Sequence, residues 1–195
     1  PVLILSDGAI GQMAESVELP EGREHDPDQY DWTLKGRDAA HPTGRKMTDR
    51  IYYDFKFHEY DPHIRERYAK MEKELQMWEE VETEDAKIIL VSYGISSRVC
   101  REAVKTARKK GWKVGMIRPI TLWPFPKKAF AKTNSHAEAY LTVEMNACGQ
   151  MVEDVALYGR GVPIYSYPSG RSIADPEAIL QKIESIMNGE EKEVF

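Results

Sequence analysis

The sequence predicts an α/β protein, a three-layer α/β/α sandwich around an open, mostly parallel sheet. Two observations carry this. Short runs such as Ile88–Val91 are apolar at every position, as strands covered on both faces must be. Helical spans separate those runs in alternation, the pattern that crossover connections in a parallel sheet produce.

The elements follow in order. Residues 2–5, a continuous apolar run, predict a strand. Ser6, Asp7 and Gly8 predict a turn, and residues 9–18 a short helix with Ile10, Met13, Ala14 and Val17 apolar. A core strand seldom opens a chain with no strand before it to pair with, so residues 1–18 are expected to be the tail of one domain. Over 19–56 the pattern breaks at Pro20, Gly22, Pro27, Gly36, Pro42 and Gly44, which predicts a long connector. Asp61 and Pro62 look like an N-cap and a first helical position. Ile64, Tyr68, Met71, Leu75 and Trp78 then repeat at steps of four and three, giving a long amphipathic helix within 57–82 that packs on something.

The second domain is expected over 83–195. After the strand Ile88–Val91, Ser96 or Ser97 can cap a helix whose inner face is Val99, Cys100, Ala103, Val104 and Ala107, ending at Gly111. Residues 113–117 form a strand, 126–132 a short helix, 139–143 a strand, 150–158 a helix and 162–167 a strand. Asp175 and Pro176 open a last helix that faces inward through Ile179, Ile183 and Ile186.

Composition excludes several function classes. With 195 residues, 42% hydrophobic and 30% charged, the chain is that of a globular protein with a sizeable core. A net charge of -5 argues against general nucleic-acid binding. No apolar run approaches the roughly 18–20 residues of a membrane span, and no secretory signal pattern is visible. Cys100 and Cys148 read as reduced thiols of a cytoplasmic protein, and without a Cys-x-x-Cys the chain cannot hold an iron–sulfur cluster alone.

The chemistry-bearing residues concentrate at strand ends. Glu144, Asn146 and Gln150 follow a strand directly and flank Gly149, so a carboxylate, an amide and helix N–H groups converge there. They could bind a polar group, or they could satisfy the loop's own backbone. Arg118 ends a strand and is either an anion ligand or the partner of a nearby carboxylate. Trp123, Pro124, Phe125 and Pro126 make a rigid apolar knob that is core or interface. The run His41 to Arg45 reads as a solvated loop, with reach to a partner's site as the alternative. Gly94 stands alone in YGISSR, where dinucleotide binding needs three spaced glycines. No G-x-S-x-G and no metal spacing among the histidines appear, which removes hydrolase and metalloenzyme readings.

The runs RPITLWPFP, VEMN and GQMVEDV, together with the opening PVLILSDGAIGQMAESVELPE, resemble the alpha subunit of 2-oxoacid:ferredoxin oxidoreductases. Within that family the branched-chain, 2-ketoisovalerate type is the most similar. The resemblance implies a transketolase C-terminal type of domain, preceded by a remnant of a thiamin pyrimidine-binding domain. It implies oxidative decarboxylation of a 2-oxoacid to acyl-CoA, with electrons passed to ferredoxin. It also implies beta and gamma subunits as partners, with or without a delta subunit, and association of alpha subunits with each other. Coenzyme A and ferredoxin are then met through the complex. Thiamin diphosphate, magnesium and iron–sulfur clusters belong to the complete complex and none to this chain. Asp7-Gly8 looks like part of the family's Gly-Asp-Gly metal motif, but Ser6 replaces the first glycine and the first asparagine downstream is Asn134. A turn and cap is the better account of Asp7. No residue here is expected to act as acid, base or nucleophile. The open alternatives are a non-catalytic interaction module and the C-terminal domain of another thiamin-dependent enzyme.

Overall fold

A computed structural model of the chain describes residues 2–24, 26–30, 33–34, 36–44 and 57–194. The chain divides into two units, Pro1–Met13 with Ala69–Phe195, and Ala14–Tyr68. In the second unit the described part of the expected connector is irregular. It holds one 3-10 turn, Pro27–Gln29, where the Asp26 side chain accepts from the Asp28 N–H at 2.8 Å. His41 pairs with Asp38 at 2.9 Å within the same stretch. Residues 45–56 of the connector, Arg45 among them, lie outside the described residues.

Helix α1 (Phe57–Glu74) crosses from one unit to the other. It begins before Asp61, so Pro62 lies inside the helix rather than at its first position, and one backbone hydrogen bond is lost there. It also stops short of Trp78. Tyr68 and Leu75 on the expected apolar stripe stay about half exposed, at 52% and 49%.

Strand β1 (Trp78–Val81) is an addition to the expected set. The helical period pointed to Trp78 as part of the stripe, but tertiary hydrogen bonds decide otherwise. The Met77 carbonyl accepts from the Ile120 and Thr121 N–H groups at 3.0 and 3.1 Å, and Trp78, Glu79, Glu80 and Val81 pair with Pro119, Arg118, Ile117 and Met116. The remaining elements are β2 (Ile88–Val91), α2 (Gly94–Lys109), β3 (Val114–Pro119), α3 (Lys127–Thr133), β4 (Ala139–Glu144), α4 (Met151–Gly159), β5 (Ile164–Pro168) and α5 (Pro176–Met187).

The five strands form one sheet in the order β1-β3-β2-β4-β5, with β1 antiparallel to β3 and every other pair parallel. Every residue of β2 and β4 is buried, because helices cover both faces. Alternate residues serve opposite layers. Ile88, Leu90, Leu141 and Val143 meet Cys100, Val104, Ile179 and Ile183 from α2 and α5. Ile89, Val91 and Tyr140 meet Phe130, Val152 and Val155 from α3 and α4. The expected α/β/α architecture is therefore present. On the outer side of β5, the Val194 N–H donates to the Ile164 carbonyl at 2.7 Å. Among the described residues no helix is long and apolar enough to cross a membrane.

Two expectations fail at the front of the chain. Residues 2–5 form no strand, since no neighbouring strand pairs with them, and Val2, Leu3, Ile4 and Leu5 are 70–90% exposed. The expected helix over 9–18 shrinks to one 3-10 turn, Ile10–Gln12: Ile10 is half-buried, while Met13 and Val17, further along the expected apolar side, are exposed. Nor do Ser96 and Ser97 cap α2. Both are buried inside the helix, which starts at Gly94, and the Ser97 hydroxyl donates to the Gly94 carbonyl at 2.7 Å.

Two measurements check this packing. A Cβ on Gly115, in the middle of β3, would lie 2.5 Å from the Glu82 carbonyl oxygen and 2.9 Å from the Ala86 Cβ. Gly115→Ala should therefore cost about 2–3 kcal/mol in denaturant unfolding. Burial pushes the Cys100 thiol and the Tyr140 phenol up to about 12, from usual values of 9.0 and 10.0. Both acids stay neutral in the fold while the unfolded chain ionises them, so stability is full below about pH 9 and declines towards pH 12. The denaturation midpoint should follow that decline, and Tyr140→Phe should flatten its upper part.

Candidate functional site

The parallel strands β2, β3, β4 and β5 end on one side of the sheet. The order β3-β2-β4 puts a reversal of direction at β2, so the crevice outside its carboxyl end, between β2 and β4, is where such sheets bind ligands. Ser92 and Tyr93 line that position from β2, and Glu144 from β4. The Ser92 hydroxyl donates to the Val143 carbonyl at 2.8 Å and ties the two strand ends together.

Glu144 is 2% exposed, so its carboxylate must find donors within the protein. It finds them at the start of α4. Oε2 accepts from the Asn146 side-chain amide at 2.9 Å, from the Gln150 N–H at 3.1 Å and from the Met151 N–H at 2.9 Å. Oε1 takes a second, 3.1 Å contact with the Gln150 N–H. Asn146 Oδ1 in turn accepts from the Gly149 N–H at 2.6 Å. The carboxylate thus fills the role of a helix cap and meets the positive end of the helix dipole. Of the two readings open for Glu144 and Asn146, satisfaction of the loop's own backbone is what the geometry displays. Gln150 contributes its backbone, and its side chain is exposed.

The loop after β5 joins this cluster. The Ser169 N–H donates to the Glu144 carbonyl at 2.8 Å, and the Gly170 N–H to the Asn146 carbonyl at 2.9 Å. Nearby negative charge is felt at two further groups. Tyr93 is pushed up by partial burial and by the Glu144 carboxylate. Asp154 is pushed up by partial burial first, then by Glu153 and Glu144. Sequence reasoning passed over Tyr93. Its signal was the polar run Ser92-Tyr93-Gly94 directly after an all-apolar strand.

Arg118 does not join the crevice cluster. Its Nη1 lies 3.4 Å from Glu79 Oε2 on β1, the oxygen that Arg101 also holds at 2.7 Å. The Arg101 hydrogen bond, aided by Arg118, keeps the Glu79 carboxyl below its usual value. Arg118 is thus a carboxylate's partner, and its buried Nε has no hydrogen-bond partner among the described residues. The aromatic knob divides. Phe125 is buried and stacks on Phe130 and Tyr158, with ring centroids 5.6 Å away in each case. Trp123 is 55% exposed. The Thr121 hydroxyl, donating to the Pro124 carbonyl at 2.8 Å, braces the loop that carries both.

Asp7 is the one residue that resembles part of the family's metal motif, and its carboxylate is engaged elsewhere. Asp7 spends both carboxylate oxygens on backbone N–H groups of Ala9, Ile10 and Ile95. Among the described residues no cluster of three His, Cys, Asp or Glu could hold a metal ion.

Residues 86–176 match the family described as pyruvate:ferredoxin oxidoreductase core domain II. The chain is 40% identical, over 190 residues, to the ketoisovalerate oxidoreductase subunit VorB of Methanothermobacter marburgensis, covering 95% of this chain and 52% of that one. It is 32% identical to the 2-oxoglutarate synthase subunit KorA of Archaeoglobus fulgidus over 159 residues, covering 80% and 44%. The chain spans about half the length of the curated relatives it matches. Among solved structures, the 2-oxoglutarate:ferredoxin oxidoreductase from Magnetococcus marinus superposes with a TM-score of 0.55 at 17% identity. That match covers 74% of this chain and 25% of the other, and supports the fold alone.

If Glu144 is a cap, replacing it by its neutral isostere should loosen α4. Glu144→Gln aims an NH2 group at backbone donors and should cost about 2–3 kcal/mol in urea unfolding. Faster amide exchange at Gln150 and Met151 should accompany the loss. Unchanged exchange at both would mean that the carboxylate does not hold the helix.

Proposed function

We propose a role within the alpha subunit of a 2-oxoacid:ferredoxin oxidoreductase, a reading supported by the match of residues 86–176 to pyruvate:ferredoxin oxidoreductase core domain II and by the similarity to ketoisovalerate oxidoreductase subunits. Its reaction is the oxidative decarboxylation of a branched-chain 2-oxoacid to an acyl-CoA, with two electrons leaving to ferredoxin. The observation that carries this reading is the 40% identity sustained over 95% of the chain, well beyond the domain match itself.

The chain's share of that work is structural. The Glu144 carboxylate is buried and taken up by the Asn146 amide and the first N–H groups of α4, which supports a positioning role for this pair rather than an acid or base one. Thiamin diphosphate supplies the electron sink when bound in the complete complex, and iron–sulfur clusters carry the electrons away. Both groups belong to partner chains in this reading, as do magnesium and the coenzyme A and ferredoxin contacts. Beta and gamma subunits are the assigned partners, a delta subunit and a second alpha subunit are further candidates, and the location is the cytoplasm. Residues 1–18 side with a pyrimidine-binding domain, and their uncovered apolar run supports that placement.

What this chain offers partners is the rim around the crevice. Trp123 projects from a braced loop, with Arg118 and Gln150 as polar neighbours along the same edge of the sheet. A half-exposed tryptophan on a rigid loop is a typical anchor for an interface.

Co-expression of the subunit that carries this chain with its beta and gamma partners provides the test. The purified complex should contain thiamin and reduce a viologen dye with 2-oxoisovalerate and coenzyme A, faster than with pyruvate or 2-oxoglutarate. Trp123→Ala should lower recovery of the beta subunit at least tenfold while the alpha subunit still unfolds cooperatively. A complex inactive on all three 2-oxoacids would sink the enzymatic assignment. Recovery of no partner at all would favour a free-standing interaction module.

A further inference from the structure

We propose that Asp7 is a latch: one carboxylate that fastens the segment 6–13 onto the α/β layer at the start of α2. The inference does not depend on the enzymatic assignment. Asp7 Oδ1 accepts from the Ala9 and Ile10 N–H groups at 3.0 and 2.9 Å, closing a turn within the segment. Oδ2 reaches 88 positions along the chain to accept from the Ile95 N–H at 2.8 Å. One side chain therefore satisfies donors on two separate stretches of polypeptide.

The receiving end is shaped for it. Ile95 is in the first turn of α2, whose leading N–H groups have no partner within the helix, and the N-cap residue, Tyr93, supplies no side-chain acceptor. A negative charge there also meets the positive end of a 16-residue helix. Gly94 leaves room for it. Its φ is +59°, and a Cβ built on it would stand 2.6 Å from Asp7 Oδ2. Glycine at 94 thus serves the carboxylate's approach as well as the turn.

Among the described residues its other backbone hydrogen bonds are internal, Gly11 to Asp7, Gln12 to Ala9 and Met13 to Ile10. Ala9 and Ile10 are only half-buried, and Val2, Leu3, Ile4 and Leu5 are exposed. The latch accordingly decides whether that apolar run sits at a fixed place beside the crevice between β2 and β4 or swings free. The rival account is that Asp7 is an ordinary cap, stabilising α2 while other contacts place the segment.

Backbone amide exchange and nitrogen-15 relaxation on the full chain separate the two. Asp7→Ala removes both arms of the latch. Asp7→Asn keeps one acceptor oxygen, so it can serve its own turn or Ile95 but not both. Asp175→Asn, at the cap of α5 where the carboxylate accepts from the Glu177 N–H at 3.1 Å, is the control for capping alone. The latch predicts at least tenfold faster exchange at Ile95 and tail-like relaxation over 6–12 in Asp7→Ala, a smaller change of the same kind in Asp7→Asn, and neither in Asp175→Asn. If Asp7→Ala does not fold, Asp7→Asn decides by the same readout. Residues 6–12 as rigid as in the unaltered chain, in either folded variant and whatever Ile95 does, overturn the latch.

Discussion

Burial of β2 and β4 on both faces is the constraint from which the rest of the fold follows. Each of their side chains is inside, so the sheet needs a helical layer above and another below. Alternate residues then feed two separate cores, one lined by α2 and α5 and one by α3 and α4. Parallel neighbours in turn require crossovers, which place the helix starts and the long loops together at the carboxyl edge. The edge where function would be sought is a by-product of how the core is covered.

That edge also faces an accounting problem, because it gathers unpaired N–H groups from several helix starts next to apolar layers. The chain solves it with its own carboxylates. Glu144 serves α4 from the end of β4, and Asp7 serves α2 from far away in sequence. Glu79 is likewise occupied, by Arg101 and Arg118. These three groups look catalytic in one dimension and are committed in three.

How far the sequence could be read depended on the range of the interaction that decides each element. The apolar runs of β2 and β4 and the Asp175-Pro176 opening of α5 are local signals, and they were legible. β1 was not, since its strand state rests on the antiparallel pairing of Trp78 to Val81 with Pro119 to Met116, against a helical period that ran through Trp78. Residues 2–5 erred the other way: apolar content suggested a strand, but a strand exists only with a neighbour. In the candidate site, Glu144, Asn146 and Gly149 could be found from position alone, and their mutual satisfaction was one of two open readings. Asp7 was legible as a turn and cap, but its second target at Ile95 was not, because nothing short-range marks a contact across 88 residues.

The two flanks of the sheet bear on how this protein can be built into something larger. β1 is only four residues long and carries Glu79 and Glu80, both engaged in ion pairs, while the Ile164 carbonyl on the far flank is already occupied by the C-terminal tail. Neither flank is a good template for strand addition by another chain. Growth by continuing the sheet is thereby discouraged. Contacts with neighbours are then left chiefly to side chains on the loops.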